Sequence, residues 1–341
     1  MYLIDSNHAL DDQSPEAQSA PKLVCINGMM RTGSSALTRG LGALGLDLGR
    51  QIQKSEARVN PTGFWEDAQV YDALHRVYRA IGLGDHMSAT AGNIPASRWD
   101  RPKVTTIATK LARYMQQTIA QANGQIVAIK NPSIARLMPF WMRMIELARC
   151  DDCYIVTIRA PTAVAESCRR AWNFSRELSD ALWVQFTIGS LLPAAAGRPT
   201  IAVDYDQFMH DPSSTLHRIA QWLNISATPE VRAAVHEFSA NFIRRDLRHF
   251  IGSGATTAPN LPQQIYEVLQ KAALAYEPLE SDAFQARWRS LTPQVATFTR
   301  HLNEMDAKRR KVFAKRIYWR GRSAIKDTVA RAKARAAGRI T

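Results

Sequence analysis

No stretch of this chain is long and apolar enough to cross a membrane. The nearest, residues 181–197, lacks charge but contains Gln185, Thr187, Gly189, Ser190 and Pro193. A spanning helix needs ~18–20 clean apolar residues, so this run reads as buried core. Residues 1–20 hold acids and no long apolar segment, which reads as neither a signal peptide nor an anchor. Cysteine is scarce, four in 341 residues, as expected of a reducing compartment. These absences lead to the expectation of a cytoplasmic protein. Cys150 and Cys153 form a C-x-x-C pair, but no second pair and no His-x-x-x-His follows. Zinc and dithiol chemistry therefore give way to structural thiols.

With 46% hydrophobic and 22% charged residues, the chain is globular in class and long enough for one good-sized core. Its formal charge of +14 is unevenly spread: residues 304–341 carry 13 Lys or Arg against 3 Asp or Glu, a net of +10. The body is only mildly basic, and the excess sits in a C-terminal appendage.

Near the N-terminus, Leu23-Val24-Cys25-Ile26-Asn27-Gly28 leads into Met29-Met30-Arg31-Thr32-Gly33-Ser34-Ser35 and an apolar helical pattern. This reads as strand, loop, helix. Gly28 and Gly33 allow a tight turn that brings several N–H groups to one anion, and the helix N-terminus adds its partial positive charge. The glycine spacing fits the NTPase loop G-x-x-x-x-G-K-[ST], but Ser34 stands where that loop needs its Lys. The cation is Arg31, inside the loop. Val203-Asp204 is a weak candidate for the strand-end aspartate that would hold magnesium, so the pattern favours a metal-free anion site.

A second segment, Tyr154-Ile155-Val156-Thr157-Ile158-Arg159, is a buried-strand pattern ending in a cation, followed by Ala160-Pro161 and a helical run with Ser167 eight residues after Arg159. Together these resemble the sulfotransferases that use 3′-phosphoadenosine 5′-phosphosulfate (PAPS). In that family a [KR]-[ST]-G-[ST]-[ST] loop after the first strand holds the 5′-phosphosulfate, and Arg31-Thr32-Gly33-Ser34-Ser35 matches it. A later strand ends in Arg, with a Ser eight residues on, to hold the 3′-phosphate; Arg159 and Ser167 match that. Ile129-Lys130-Asn131-Pro132, running on to Leu137-Met138-Pro139-Phe140-Trp141, is similar to the K-D-P segment of bacterial members. Val203-Asp204-Tyr205-Asp206-Gln207-Phe208 with Asp211-Pro212 is similar to their Y-[ED]-x-[LF]…D-P strand. The resemblance covers residues 22–225.

It implies in-line transfer of a sulfonate from PAPS, the co-substrate, to an acceptor hydroxyl without a metal. Arg31 and the loop N–H groups would stabilise charge developing on the leaving 5′-phosphate, and Lys130 would bridge the sulfonate and its leaving oxygen. The transfer also needs a base. Cytosolic members place a His two residues after a strand-end Lys, but Asn131 and Pro132 follow Lys130 here. Gly63-Phe64-Trp65-Glu66 resembles the G-[FYH]-[WF]-E stretch in which other members carry a Glu base. Glu66 is thus the candidate, with burial beside Phe64 and Trp65 expected to sharpen it as a proton acceptor. Asp67, His75 and His86 are reserves, and Arg245-Asp246-Leu247-Arg248-His249 is similar to an L-R-H stretch that could reach the nucleotide.

The strand and helix patterns alternate: helices over 34–44, 66–81 and 103–122, strand 126–130, helix 134–147, strand 154–159, helices 161–172 and 176–192, strand 200–205, then helices 214–223 and 229–238. This predicts an α/β fold, a P-loop-like three-layer α/β/α arrangement around a central parallel sheet. Residues 82–101 form a loop long enough for a substrate-facing lid. Residues 1–21 read as a poorly ordered lead-in, 22–252 as the sulfotransferase-like domain, 253–303 as a helical C-terminal extension with helices over 261–276 and 283–291, and 304–341 as a basic helical tail. The acceptor is expected to be a carbohydrate, a glycolipid or another small metabolite, and the tail could bring the protein to an anionic inner membrane surface. Two rivals stay open: a P-loop kinase or NTPase with a degenerate Walker A loop, and a non-catalytic polyanion binder acting through the tail. Segregation of the tail charge from the anion loop argues against nucleic acid as the main partner.

Overall fold

A computed structural model describes residues 22–49, 63–83, 94–242 and 260–304. The chain divides into two compact units, Met1–Ala89 with Pro95–Val295 and Thr90–Ile94 with Ala296–Thr341. The elements that carry the site belong to the first.

Strand β1 (Leu23–Asn27) leads through the glycine loop into α1 (Ser34–Ala43), then α2 (Ala68–Ala80) and α3 (Pro102–Gln121) precede β2 (Val127–Lys130). Next come α4 (Ser133–Arg136), α5 (Met138–Ala148), β3 (Asp152–Ile158), α6 (Pro161–Trp172), α7 (Arg176–Ser190) and α8 (Leu192–Ala195). Then β4 (Thr200–Asp204), α9 (Tyr205–His210), α10 (Pro212–Trp222), α11 (Pro229–Glu237) and α12 (Leu261–Ala275) follow, with a further helix from residue 282. Among the described residues the sheet is parallel throughout, in the order β2-β1-β3-β4. Leu23 pairs with Val127 and Asp152, and Ile158 with Asp204. All four carboxyl ends therefore share one rim, and the order reverses around β1, where doubly wound sheets place their ligands.

The strands are apolar on both faces because helices cover both. Val24, Ile26, Ile155 and Ile201 alternate onto one face and pack with Leu37 and Leu41 of α1 and Leu216 and Ile219 of α10. Cys25 faces the other way, where its sulfur accepts a 3.2 Å hydrogen bond from Trp141 Nε1 on α5. Burial pushes the Cys153 thiol well up and the Cys150 thiol to about 11, as suits structural thiols.

The predicted layering is borne out, with local differences: α2 starts at Ala68, so Glu66 precedes it, and the helix expected over 283–291 runs from 282 to 304. The helix expected over 134–147 breaks at Leu137, because Pro139 in the first turn of α5 has no N–H to continue the α4 ladder. The strand expected to reach Tyr205 stops at Asp204, whose carboxylate accepts from Gln207 N–H at 3.0 Å and so caps α9. Helix α10 begins two residues early, at Pro212 after the Asp211 cap. The lead-in, residues 84–93 of the proposed lid, His86, the 245–249 stretch and the tail beyond residue 304 lie outside the described residues. Among those described, no helix is long and apolar enough to cross a membrane.

Candidate functional site

The loop between β1 and α1 is pinned to the neighbouring strand ends by its own hydroxyls. Thr32 Oγ1 donates to the Met29 carbonyl at 2.7 Å and lies 2.7 Å from Thr157 Oγ1, which donates to the Asn27 carbonyl at 3.0 Å. Gly28 turns at φ 128°, where a Cβ would sit 2.5 Å from the Thr157 carbonyl oxygen. Gly33, at φ 84°, leads into α1, whose N-terminus has no side-chain cap and so gathers its first N–H groups at the rim.

A Cβ on Gly33 would lie 2.1 Å from Cδ2 of Tyr205. Gly33→Ala should thus combine left-handed strain with displacement of that ring and lower stability by about 2–4 kcal/mol. Gly45, at φ 87° with nothing within 4 Å of a built Cβ, supplies the control. In urea titrations Gly33→Ala should lose clearly more than Gly45→Ala; equal losses would mean that the Tyr205 contact yields easily.

Two cations expected at the rim meet there. Arg31, itself at φ 72°, donates from Nε to Ser167 Oγ at 2.9 Å and lies 5.9 Å over the Trp172 ring. Arg159 follows β3 directly and is only 6% exposed. Its guanidinium lies 4.3 Å over the Tyr205 ring, with Nη1 donating to the Arg31 carbonyl at 3.4 Å. Burial lowers the Arg31 pKa, and the Arg159 charge adds to that. The two guanidinium groups thus lie within each other's field, an arrangement that an anion of high charge would relieve. Cys168 is pushed up to about 12 by burial, against the pull of both arginines. Arg31 was expected to serve the glycine loop and Ser167 the other phosphate, and their side chains touch.

On the other side of β1, Lys130 ends β2 and its Nζ lies 2.7 Å from Glu66 Oε1. Asn131 Nδ2 donates to Glu66 Oε2 at 2.9 Å and is itself aimed by Ser133 N–H, which donates to Asn131 Oδ1 at 2.8 Å. Glu66 is 7% and Lys130 3% exposed. Glu66 is therefore buried as expected, but in a clamp of donors and not in an apolar pocket beside Phe64 and Trp65, both only half-buried. The segment that carries Glu66 is held to α1: Ser35 Oγ donates to the Phe64 carbonyl at 3.3 Å, and Arg39 lies 5.4 Å over the ring of Trp65, a residue at φ 54°. Of the reserve bases, Asp67 caps α2 through Gln69 and Val70 N–H and accepts from Tyr114 Oη at 2.6 Å. His75 keeps Nδ1 2.9 Å from the Tyr71 carbonyl.

Along the rim the order is thus Glu66 with Lys130 at β2, the loop at β1, Arg159 with Arg31 and Ser167 at β3, and Tyr205 at β4. Two strand spacings, about 10 Å, separate the β2 and β3 ends. Thr157, Asn131, Trp172 and Tyr205 stand outside the residues singled out for the site, since their partners lie from 46 positions away in sequence, for Tyr205, to 141, for Trp172. Asn27 was also passed over. It is 1% exposed, with neither amide atom hydrogen-bonded among the described residues, immediately before the loop.

A family model described as "Sulfotransferase family" matches residues 21–229. No curated protein matches the chain. Among solved structures, the sulfotransferase domain from the Synechococcus PCC 7002 olefin synthase is 18% identical, with 78% of this chain and 98% of that one covered and a TM-score of 0.44. The sulfotransferase domain from the curacin biosynthetic pathway is 16% identical, covering 74% and 98%, with a TM-score of 0.44. Sulfotransferase STF9 from Mycobacterium avium is 16% identical, covering 76% of each chain, with a TM-score of 0.42.

Proposed function

The chain belongs to the sulfotransferase family, and we propose that it moves the sulfonate of PAPS to an acceptor hydroxyl on a carbohydrate, glycolipid or other small metabolite. The observation that carries this reading is the meeting of Arg31, Arg159 and Ser167 on one rim beside an uncapped helix N-terminus. Such a donor set suits a nucleotide with phosphate groups at both its 3′ and 5′ positions. Arg159 and Ser167 hold the 3′-phosphate. Gly33, Ser34 and Ser35 offer backbone N–H groups to the 5′ end, Thr32 fixes the loop, and Arg31 lies between the two.

Glu66 takes the proton of the acceptor hydroxyl as its oxygen bonds to sulfur and the bond from sulfur to the 5′-phosphate oxygen breaks. The leaving oxygen keeps that electron pair, and Arg31 with the loop N–H groups stabilises the charge. Proton uptake makes the Glu66 carboxyl neutral and so loosens its hold on Lys130, whose ammonium becomes available to the leaving oxygen. Thus the 2.7 Å pair couples the two proton and charge movements. The basic tail of residues 304–341 keeps a cytoplasmic enzyme at an anionic inner membrane surface, each cation worth about 1 kcal/mol there.

Calorimetric titration with adenosine 3′,5′-bisphosphate, without added metal, tests the reading. Saturable one-to-one binding is expected. If ATP with magnesium binds while the bisphosphate does not, the degenerate kinase or NTPase takes its place.

A further inference from the structure

The family match ends at residue 229, yet the chain beyond it is built onto the rim. Among the described residues strand β4 is the sheet edge, and residues from 261 onward hold both of its ends. At the start of β4, Leu279 N–H donates to the Thr200 carbonyl at 2.8 Å and Thr200 N–H donates to Glu280 Oε2 at 2.9 Å. At the carboxyl end, Tyr266 Oη on α12 donates to Asp204 Oδ2 at 2.8 Å, while Gln270 Nε2 donates to Tyr266 Oη at 2.8 Å. Ile265, Leu269 and Ala272 bury the rest of that helix face.

Asp204 is the residue on which the arrangement turns. One carboxylate oxygen caps α9 through Gln207 N–H, and the other takes the Tyr266 hydroxyl. The first residue of α9 is Tyr205, whose ring lies under the Arg159 guanidinium and fills the space that a Gly33 side chain would need. Burial and the Asp204 charge raise the Tyr266 pKa, and the Arg159 charge pulls it the other way, which puts Tyr266 within the field of that guanidinium.

We infer that Tyr266, beyond the residues 21–229 that the family model matches, is a positioning residue for the nucleotide: through Asp204 it sets the angle of Tyr205 and hence the place of Arg159 at the 3′-phosphate. This rests on the proposed PAPS reading. Its specific consequence is selectivity for a nucleotide carrying the 3′-phosphate over one that lacks it. A helix that merely closed the sheet edge would affect both nucleotides alike.

The test uses the full chain and Tyr266→Phe, which removes one oxygen and keeps the ring packed. Affinities for adenosine 3′,5′-bisphosphate and adenosine 5′-phosphate are measured on both proteins, with thermal unfolding alongside. The ratio of the two affinities should fall about five-fold in Tyr266→Phe, and the same change should add nothing in an Arg159→Ala background. An unchanged ratio, or equal losses for both nucleotides, overturns the inference. If wild type binds neither nucleotide, the PAPS reading itself has failed; if wild type prefers the bisphosphate and Tyr266→Phe keeps that preference, only the positioning role has failed.

Discussion

Arg159→Ala should weaken adenosine 3′,5′-bisphosphate binding about 100-fold and leave adenosine 5′-phosphate affinity nearly unchanged. The expectation comes from how the side chain is held. Arg159 is buried, lies 4.3 Å over Tyr205 and donates to the Arg31 carbonyl, so little rotamer freedom remains to be lost on binding. A fixed, partly desolvated guanidinium facing a phosphate is among the stronger polar contacts a protein makes. Arg159→Lys should recover only part of the loss, because an ammonium neither stacks on Tyr205 as a plane nor binds an anion through a fork. Arg31→Ala should differ in kind. Its guanidinium bonds Ser167 while its backbone belongs to the loop, so both nucleotides should weaken. The two arginines oppose each other's charge, and a bound anion relieves that opposition. The bisphosphate should therefore raise the Tm of wild type more than that of Arg159→Ala, as tighter binding to the folded state requires. Equal losses for both nucleotides in Arg159→Ala would remove the 3′-phosphate from this residue.

What the sequence made legible follows the range of the interactions. The path from β3 through Arg159 to α6 was readable because its signals are local: an apolar strand, Pro161 in the first helical turn, and Trp172 at the end of the periodic run. The glycine loop was readable for the same reason. The break at Leu137 and the turn into α9 were also locally encoded, by Pro139 and Asp204, but each lay inside an apolar pattern that continued past it. The partners within the site were a different matter. Arg31 meets Ser167 across 136 positions, and Glu66 meets Lys130 and Asn131 across 64 and 65. No periodicity reports contacts of that separation. The segment Lys130-Asn131-Pro132 drew attention to a missing His, whereas Asn131 itself clamps the carboxylate. Likewise α12 had the pattern of a buried helix, but only the sheet order reveals that it covers the β4 edge.

Glu66→Gln should lower turnover at least ~100-fold while leaving bisphosphate affinity intact, the range expected when a general base is lost. The amide keeps the size of the carboxylate but cannot take a proton at neutral pH. It also disturbs the clamp. Glu66 offers one oxygen to Lys130 and the other to Asn131, whereas an amide has a single oxygen, so one donor must face its NH2 group and Lys130 stays buried opposite a neutral partner. Removing one member of a buried pair costs about 3–5 kcal/mol, and part of that should appear as lower stability. Turnover must therefore be measured on protein shown to be folded by its bisphosphate binding. Lys130→Met separates the two effects from the other side. Alone it leaves Glu66 buried without its cation, while combined with Glu66→Gln it removes both charges. The double variant should regain much of the stability but none of the turnover, because an ion pair can be replaced by packing whereas a proton acceptor cannot. If Glu66→Gln turns over at a near-normal rate, the proton goes elsewhere, and the Glu66–Lys130 pair is left with a purely structural role at the end of β2.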